Sequence, residues 1–505
     1  MTTDQFSDSL LLDSLGVLLA DYNPGKNFDE TFLPDGSVRA LYQRIVECFT
    51  ALDVSEINRL ERLVDEEFRR QGITFNVYDD EEGTERVWLM DLFPRLISAV
   101  EWGKLEKGLS QRIKALNYFL ADIYSGDSNV IGDGVVPRWM ITSSEGFQRS
   151  ASGISPTHGA HCNIAGIDLV RDRDGKYRIL EDNLRNPSGI SYVVENRAAM
   201  AKAFPRLFNH YTVKPVEQFG KMMRNMLESM TPAGVDSPHI VVLTPGIFNS
   251  AYAEHVFLAR LMGVELVEGR DLMVDDHTVH ARTIEGLVPV DVIYRRVDDD
   301  YLDPVAFRPD SVLGVPGLLG AVRAGTVTIC NSIGNGVADD KAVYTYVPDL
   351  IEYYLGEKPI IDNVKTYRMY EPDHYEEAIE RLDGLVVKPV AESGGYGVLI
   401  GPHATEQQLK KARAAIEAEP RNWIVQDLVE LSSLPTLTGE RLESRHIDLR
   451  PFVLTGERTE VFPGGLTRVA LRKGSLIVNS SQGGGSKDTW VLASETPEKV
   501  QHKTR

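Results

Sequence analysis

Asp168, Glu181 and Asn183 carry the oxygen chemistry with the most distinctive spacing in this 505-residue chain. They lie in Ile167 to Gly189, Ile-Asp-Leu-Val-Arg-Asp-Arg-Asp-Gly-Lys-Tyr-Arg-Ile-Leu-Glu-Asp-Asn-Leu-Arg-Asn-Pro-Ser-Gly. Asp174-Gly175 between two β-prone runs predicts a two-residue hairpin turn. Such a turn pairs Arg173 with Lys176 and sets Asp168 across from Glu181, with Asn183 two residues on and on the same face. Two carboxylates about 5 Å apart repel by roughly 3 kcal/mol at an effective dielectric of ~20. A divalent cation between them reverses that sign, and Asp, Glu and an Asn carbonyl are hard ligands suited to magnesium. In the competing reading one carboxylate is solvated, or a three-residue turn shifts the register and parts the pair.

A second set of signals lies in the last third. Leu385-Val-Val-Lys-Pro-Val-Ala-Glu-Ser-Gly-Gly-Tyr-Gly-Val is an apolar strand with one lysine, Lys388, followed by a glycine-rich loop. Glycine N–H groups can approach phosphate oxygens closely, and the lysine adds a point charge. The lysine precedes the glycines, so this is not the common P-loop. Trp423-Ile-Val-Gln-Asp-Leu-Val-Glu ends a strand in polar residues that can offer backbone groups to an adenine edge; a plain edge or core strand fits equally well. Arg445-His-Ile-Asp-Leu-Arg alternates, putting Asp448 and Arg450 on one face with His446. Arg450 suits a phosphate or carboxylate, with an ordinary ion pair as the alternative. Asn479-Ser-Ser-Gln-Gly-Gly-Gly-Ser-Lys487 is a further glycine loop on the substrate or phosphate side. His158-Gly-Ala-His-Cys162 invites zinc, yet no second ligand cluster accompanies it. Asp298-Asp-Asp300 follows a strand end, where it can meet substrate, and reads most simply as a solvated loop.

The elements that must hold these residues exceed one core, and two to four domains are expected. Apolar spacing of three and four predicts helices over Leu41–Phe49, Ile57–Phe68 and Ile113–Tyr124. Strand–helix–strand spacing from Pro238 to Cys330 predicts a parallel sheet with ligands at the carboxyl ends of its strands. No Gly-x-Gly-x-x-Gly follows its first strand, so a dinucleotide is not indicated. The 54 basic and 74 acidic residues give a net charge of −20, which disfavours nucleic acid. Three scattered cysteines, no signal-like N-terminus and no membrane-length apolar run predict a cytoplasmic protein without a disulfide framework.

Taken together, these segments resemble the ATP-grasp superfamily. Its pre-nucleotide lysine is similar to Lys341 in Ala338-Asp-Asp-Lys, and its Val-Lys-Pro strand and glycine loop to Lys388 with Ser393, Gly394, Gly395, Tyr396 and Gly397. Its adenine hinge resembles Gln426, Asp427, Leu428 and Val429, and its metal motif Asp168, Glu181-Asp-Asn183 and Pro187-Ser-Gly189. Here the metal motif precedes both lysines. That order resembles the circularly permuted ATP-grasp type 2 family over about residues 90 to 495.

The resemblance implies an α+β fold with four parts. These are a helical region 1–125, a permuted metal-binding part 126–237, an α/β substrate domain 238–335, and a nucleotide-binding part 336–505 with a lid at 365–430 and core strands at 431–495. It implies an ATP- and magnesium-dependent carboxylate–amine ligase working through an acyl-phosphate. Asp168, Glu181 and Asn183 would hold one or two magnesium ions. Lys341, Lys388, the glycine loop, the hinge and Lys487 would hold ATP, and Arg450, Arg185 and Lys388 would stabilise the transferring phosphoryl group. A small-molecule or peptide carboxylate and an amine are the implied substrates, with proteins of the same pathway as partners and neither nucleic acid nor membrane. A kinase that stops at phosphoryl transfer and a non-catalytic ATP-binding protein are the rival readings.

Overall fold

The computed structural model describes residues 16–493 apart from 17, 73, 77–84, 392–396, 477 and 479–483. Two helices, α1 (Gln43–Thr50) and α2 (Val54–Gln71), stand where the apolar spacing predicts them. A capping box between Asp53 and Glu56 starts α2, and Gly72 at φ 69° ends it. The region up to residue 125 is not wholly helical, however. Met90–Ile97 forms a strand, β1, in which Pro94 withholds the N–H that a helix interior needs. Ser98 then caps the long helix α3 (Ala99–Ser125).

Next come the hairpin β2 (Ile164–Arg171) and β3 (Tyr177–Asn183), and helix α4 (Ile190–Ala203). The α/β unit follows: β4 (Ile240–Thr244), α5 (Tyr252–Met262), β5 (Glu265–Glu268), β6 (Val292–Arg295) and β7 (Thr328–Cys330). Its four strands are parallel in the order β7-β6-β4-β5. A single turn of helix, α6 (Lys341–Tyr344), leads to a small antiparallel lobe. The lobe comprises β8 (Thr366–Arg368), β9 (Leu385–Pro389), β10 (Leu399–Ile400), helix α7 (Glu406–Ala418) and β11 (Trp423–Asp427), ordered β8-β11-β9-β10. Strands β12 (Arg450–Thr455), β13 (Thr459–Val469) and β14 (Gly485–Val491) end the described chain.

The central sheet runs β1-β14-β13-β12-β2-β3, so neighbours in space come from opposite ends of the sequence. Alternation gives each face its own core. Ala165, Ile167 and Leu169 pack with Trp102, Leu109 and Leu116 of α3. Ile164, Phe452 and Leu466 pack with Val193 and Met200 of α4. Asp168, between Ile167 and Leu169, therefore points to the α4 face. Among the described residues no helix is long and apolar enough to cross a membrane.

Candidate functional site

The hairpin pairs Asp168 with Glu181, Ile167 with Asp182 and Gly166 with Asn183, the expected facing of the two carboxylates. The turn that delivers it is not the expected one. Asp172 N–H donates to Lys176 O at 2.9 Å, leaving Arg173, Asp174 and Gly175 as a three-residue loop with Gly175 at φ 76°. The Asp172 carboxylate favours that loop, because its Oδ1 accepts the N–H groups of Asp174 at 3.0 Å and Lys176 at 2.9 Å. By itself the longer turn would put Glu181 out of step with Asp168. A bulge at Leu180 corrects it, as the pairing jumps from Leu169–Ile179 to Asp168–Glu181.

Arg450, on the neighbouring strand β12, grips Asp168 with two prongs: Nε donates to Oδ1 at 2.6 Å and Nη2 to Oδ2 at 2.9 Å. Arg468 of β13 adds a third bond, Nη2 to Oδ2 at 2.7 Å, and also binds Asp448 through Nε at 3.0 Å. Burial alone would raise the Asp168 pKa, but the two guanidiniums hold it well below the usual carboxylate range. Glu181 faces Lys341, with Nζ 3.3 Å from Oε1. Lys388 is buried in the same field. Burial lowers its pKa to about 8, Lys341 pushing the same way and Glu181 and Asp168 opposing. Its ammonium has no hydrogen-bond or ion-pair partner among the described residues. Asp168, Glu181, Lys341, Lys388 and Arg450 thus meet at one place.

Arg185 lies beside them. Asp339, 3.6 Å from its Nε, raises its pKa, burial opposes, and Asp298, Asp299 and Glu181 add to the rise. Asp298 is tied to this region as well, accepting from Asn186 Nδ2 at 2.7 Å. The loop carrying Arg185 is fastened by residues that sequence reading missed. Asp339 Oδ2 accepts the N–H groups of Leu184 and Arg185, and Asn331 Nδ2 donates to Leu184 O and Arg185 O. Arg296 binds Pro187 O at 2.9 Å and Ser188 Oγ at 2.6 Å, and Glu254 Oε1 takes Gly189 N–H at 2.8 Å. Arg450 Nη1 reaches Ser188 O at 3.3 Å. Arg296 and Asn331 follow strand ends, Glu254 lies in the first turn of α5 and Asp339 just precedes α6, each without a spacing that marks it in the sequence.

The hinge positions lie at the end of β11 and just beyond it. Gln426 Nε2 donates to Thr366 Oγ1 at 3.0 Å and weakly to Leu180 O at 3.4 Å, while its Oε1 is buried without a partner among the described residues. Asp427 accepts from Tyr367 OH at 3.0 Å. The backbone groups of Leu428 and Val429 make no backbone hydrogen bond among the described residues. Gly397, at φ 69°, closes the glycine-rich loop, and Ser393, Gly394, Gly395 and Tyr396 lie outside the described residues.

Lys487 is not brought to this site. It is fully buried where β1, β14 and Pro435 meet, its ammonium on Asp91, Phe93 O at 3.2 Å and Pro435 O at 2.8 Å. Strand alternation explains this: its pairing with Thr467 places it one position out of step with Ser486, the partner of Arg468. His161 and Cys162 are buried, with His161 Nδ1 against Ser332 Oγ at 3.0 Å.

For a cation, Glu181 and the Asn183 carbonyl offer hard oxygens, and Asp168 Oδ1 keeps one lone pair beyond the bond from Arg450. Among the described residues the Asn183 Nδ2 atom is buried without a partner, so the amide is not committed elsewhere through that atom. Among the described residues no three His, Cys, Asp or Glu side chains group so as to hold a metal alone. The donor set suits magnesium whose shell is completed by phosphate oxygens and water.

A permuted strand order and a meeting of lysines with acidic oxygens define the class, and comparison with known proteins agrees. Residues 94–470 match the family model "Circularly permuted ATP-grasp type 2", and the chain belongs to that family. An uncharacterized protein of Synechocystis sp. is 50% identical over 479 residues, covering 95% of this chain and 99% of the relative. One from Mycobacterium tuberculosis is 52% identical over 467 residues, covering 92% of this chain and 84% of the relative. A Frankia casuarinae protein provisionally named glutamate–cysteine ligase 2-2 is 43% identical over 477 residues, 94% of this chain but 54% of that protein. The apo structure of a glutathione synthetase-like effector from Globodera pallida superposes with a TM-score of 0.55 at 11% identity, covering 87% of this chain and 98% of that one.

Proposed function

We propose that this protein is an ATP- and magnesium-dependent carboxylate–amine ligase that works through an acyl-phosphate. The observation that carries this reading is the meeting of Lys341, Lys388 and Arg450 with Asp168 and Glu181, five side chains from four remote segments. Lys341, Lys388, Arg450 and Arg468 outnumber the carboxylates Asp168, Glu181 and Asp448, a balance suited to a polyphosphate. Lys341 and Lys388 grip the terminal phosphates of ATP. The end of β11 receives the adenine, with Leu428 and Val429 offering backbone groups and Gln426 an uncommitted amide oxygen.

Magnesium, held by Glu181, Asn183 and Asp168, supplies charge neutralisation at the phosphates when bound. Arg450, fixed in direction by its two bonds to Asp168, stabilises charge on the transferring phosphoryl group, with Arg185 at the adjoining edge. The substrate carboxylate attacks the γ-phosphate, giving an acyl-phosphate and ADP; the amine then displaces phosphate and forms the amide. The protein needs no covalent intermediate, since positioning and electrostatics carry both steps. The name of the Frankia relative favours an amino-acid-like carboxylate.

The test is incubation with ATP, magnesium and a metabolite extract, following ADP release and new masses. An amide product supports the ligase. A stable phosphorylated product points to a kinase, and ATP binding with no ADP under any mixture points to a non-catalytic binder.

A further inference from the structure

The two lysines that would hold the phosphates come from different bodies, Lys341 from α6 and Lys388 from the antiparallel lobe. They lie close enough for Lys341 to lower the proton affinity of Lys388. Like charges in a buried site repel, and Glu181, 3.3 Å from Lys341 Nζ, offsets part of that repulsion. The short turn Pro420–Asn422, which leads into β11, is bonded to the chain beside each of them.

On one side, that turn is bound to the chain just past Lys388. In the β9–β11 pairing Lys388 faces Ile424 and Pro389 faces Trp423, and Val390 N–H then donates to Asn422 O at 3.0 Å. On the other side, Arg421 reaches out of the lobe. Its Nη2 donates to Asp340 Oδ2 at 2.7 Å and to Met140 O at 3.2 Å, and its Nε donates to Ser143 Oγ at 2.9 Å. Asp340 is the N-cap of α6, its Oδ1 taking Ala342 N–H at 2.8 Å, and Lys341 is the first residue of that helix. Lys341 N–H itself bonds Val390 O at 3.3 Å, two residues past Lys388. The Arg421–Asp340 pair is mostly enclosed, with side chains 15% and 6% exposed.

We infer that Arg421 is a positioning residue for the nucleotide site: through Asp340 it sets Lys341 against Lys388, joining the lobe to the body that carries the first lysine. This rests on the ATP-binding part of the proposed function. Among the described residues Arg421 makes no hydrogen bond to either lysine, so it acts through the cap and the turn. A merely structural Arg421 would lower stability without changing the grip on ATP.

Calorimetric titration of ATP with magnesium into the full chain tests this. Arg421→Met is expected to weaken ATP about tenfold or more, as loss of a partner that orients a ligating group does. Arg421→Lys is expected to restore part of the loss, since one ammonium reaches Asp340 but cannot span all three partners. Asp340→Asn keeps an oxygen for the Ala342 cap and loses the ion pair, so it repeats the Arg421→Met loss and carries the test should Arg421→Met not fold. Because the effect runs through Lys341, Arg421→Met in a Lys341→Met background is expected to add nothing. Wild-type ATP affinity in folded Arg421→Met, or full additivity with Lys341→Met, overturns the inference while leaving the proposed function intact. A wild-type protein that binds no ATP overturns both.

Discussion

Lys388 shows how a single buried group can set the working range of a site. With its pKa near 8, it is mostly charged at pH 7 and mostly neutral at pH 9. Only the charged form attracts phosphate. ATP affinity is therefore expected to fall as pH rises through about 8, by up to about tenfold per pH unit where binding requires that proton. Lys388→Arg, which stays protonated, should flatten the profile between pH 7 and 9; calorimetry across that range reads both outcomes. Glu181 makes the complementary case. Glu181→Gln removes a hard anionic ligand and the carboxylate that faces Lys341, so ATP is expected to bind but magnesium no longer to tighten it. A variant whose ATP affinity still responds to magnesium as the wild type does would contradict that assignment.

At the scale of the element, the hairpin and the loop after it determine where those residues point. The facing of Asp168 and Glu181 was legible because side chains alternate on a strand and Asp-Gly marks a turn. The turn length was not. Asp172 folds its carboxylate over the turn and lengthens it, and a bulge at Leu180 cancels the shift. Neither device has a periodic signature, and the expected pairing resulted from two departures that offset each other. Lys487 illustrates the limit of reading by motif. A glycine loop followed by lysine suggests phosphate, yet the position of Lys487 in β14 buries it against Asp91. Gly189, in the Pro-Ser-Gly segment, is needed on two counts: φ is 111°, and an added Cβ would sit 2.8 Å from Leu466 Cδ2. Gly189→Ala is expected to cost about 1–3 kcal/mol in urea unfolding and to reduce turnover by disturbing Ser188, whose carbonyl Arg450 holds.

For the whole molecule, helix α3 ties the parts together. Arg112 binds Asp182 of the β2–β3 hairpin through Nε at 2.7 Å and Nη2 at 2.6 Å, and Asn363, at the entrance to the antiparallel lobe, through Nη1 at 2.8 Å. Both ionic partners are buried, at 2% and 1% side-chain exposure. Arg112→Met strands the Asp182 carboxylate and is expected to cost about 3–5 kcal/mol; a loss below 1 kcal/mol in urea unfolding would show the pair to be dispensable. The permuted order was legible from the sequence of motifs alone. The strand Met90–Ile97 was not, because its partner β14 lies almost the whole chain away and no local pattern announces a parallel neighbour at that distance.

That pairing bears on how the protein is made. As the polypeptide leaves the ribosome, β1 emerges early and waits for β14, while the hairpin bearing Asp168 and Glu181 waits for Arg450. Until synthesis has passed residue 491 the sheet keeps open strand edges on both sides of the gap, the state most prone to joining with another nascent chain. Messages truncated near residue 470 should therefore yield aggregates rather than a smaller working enzyme.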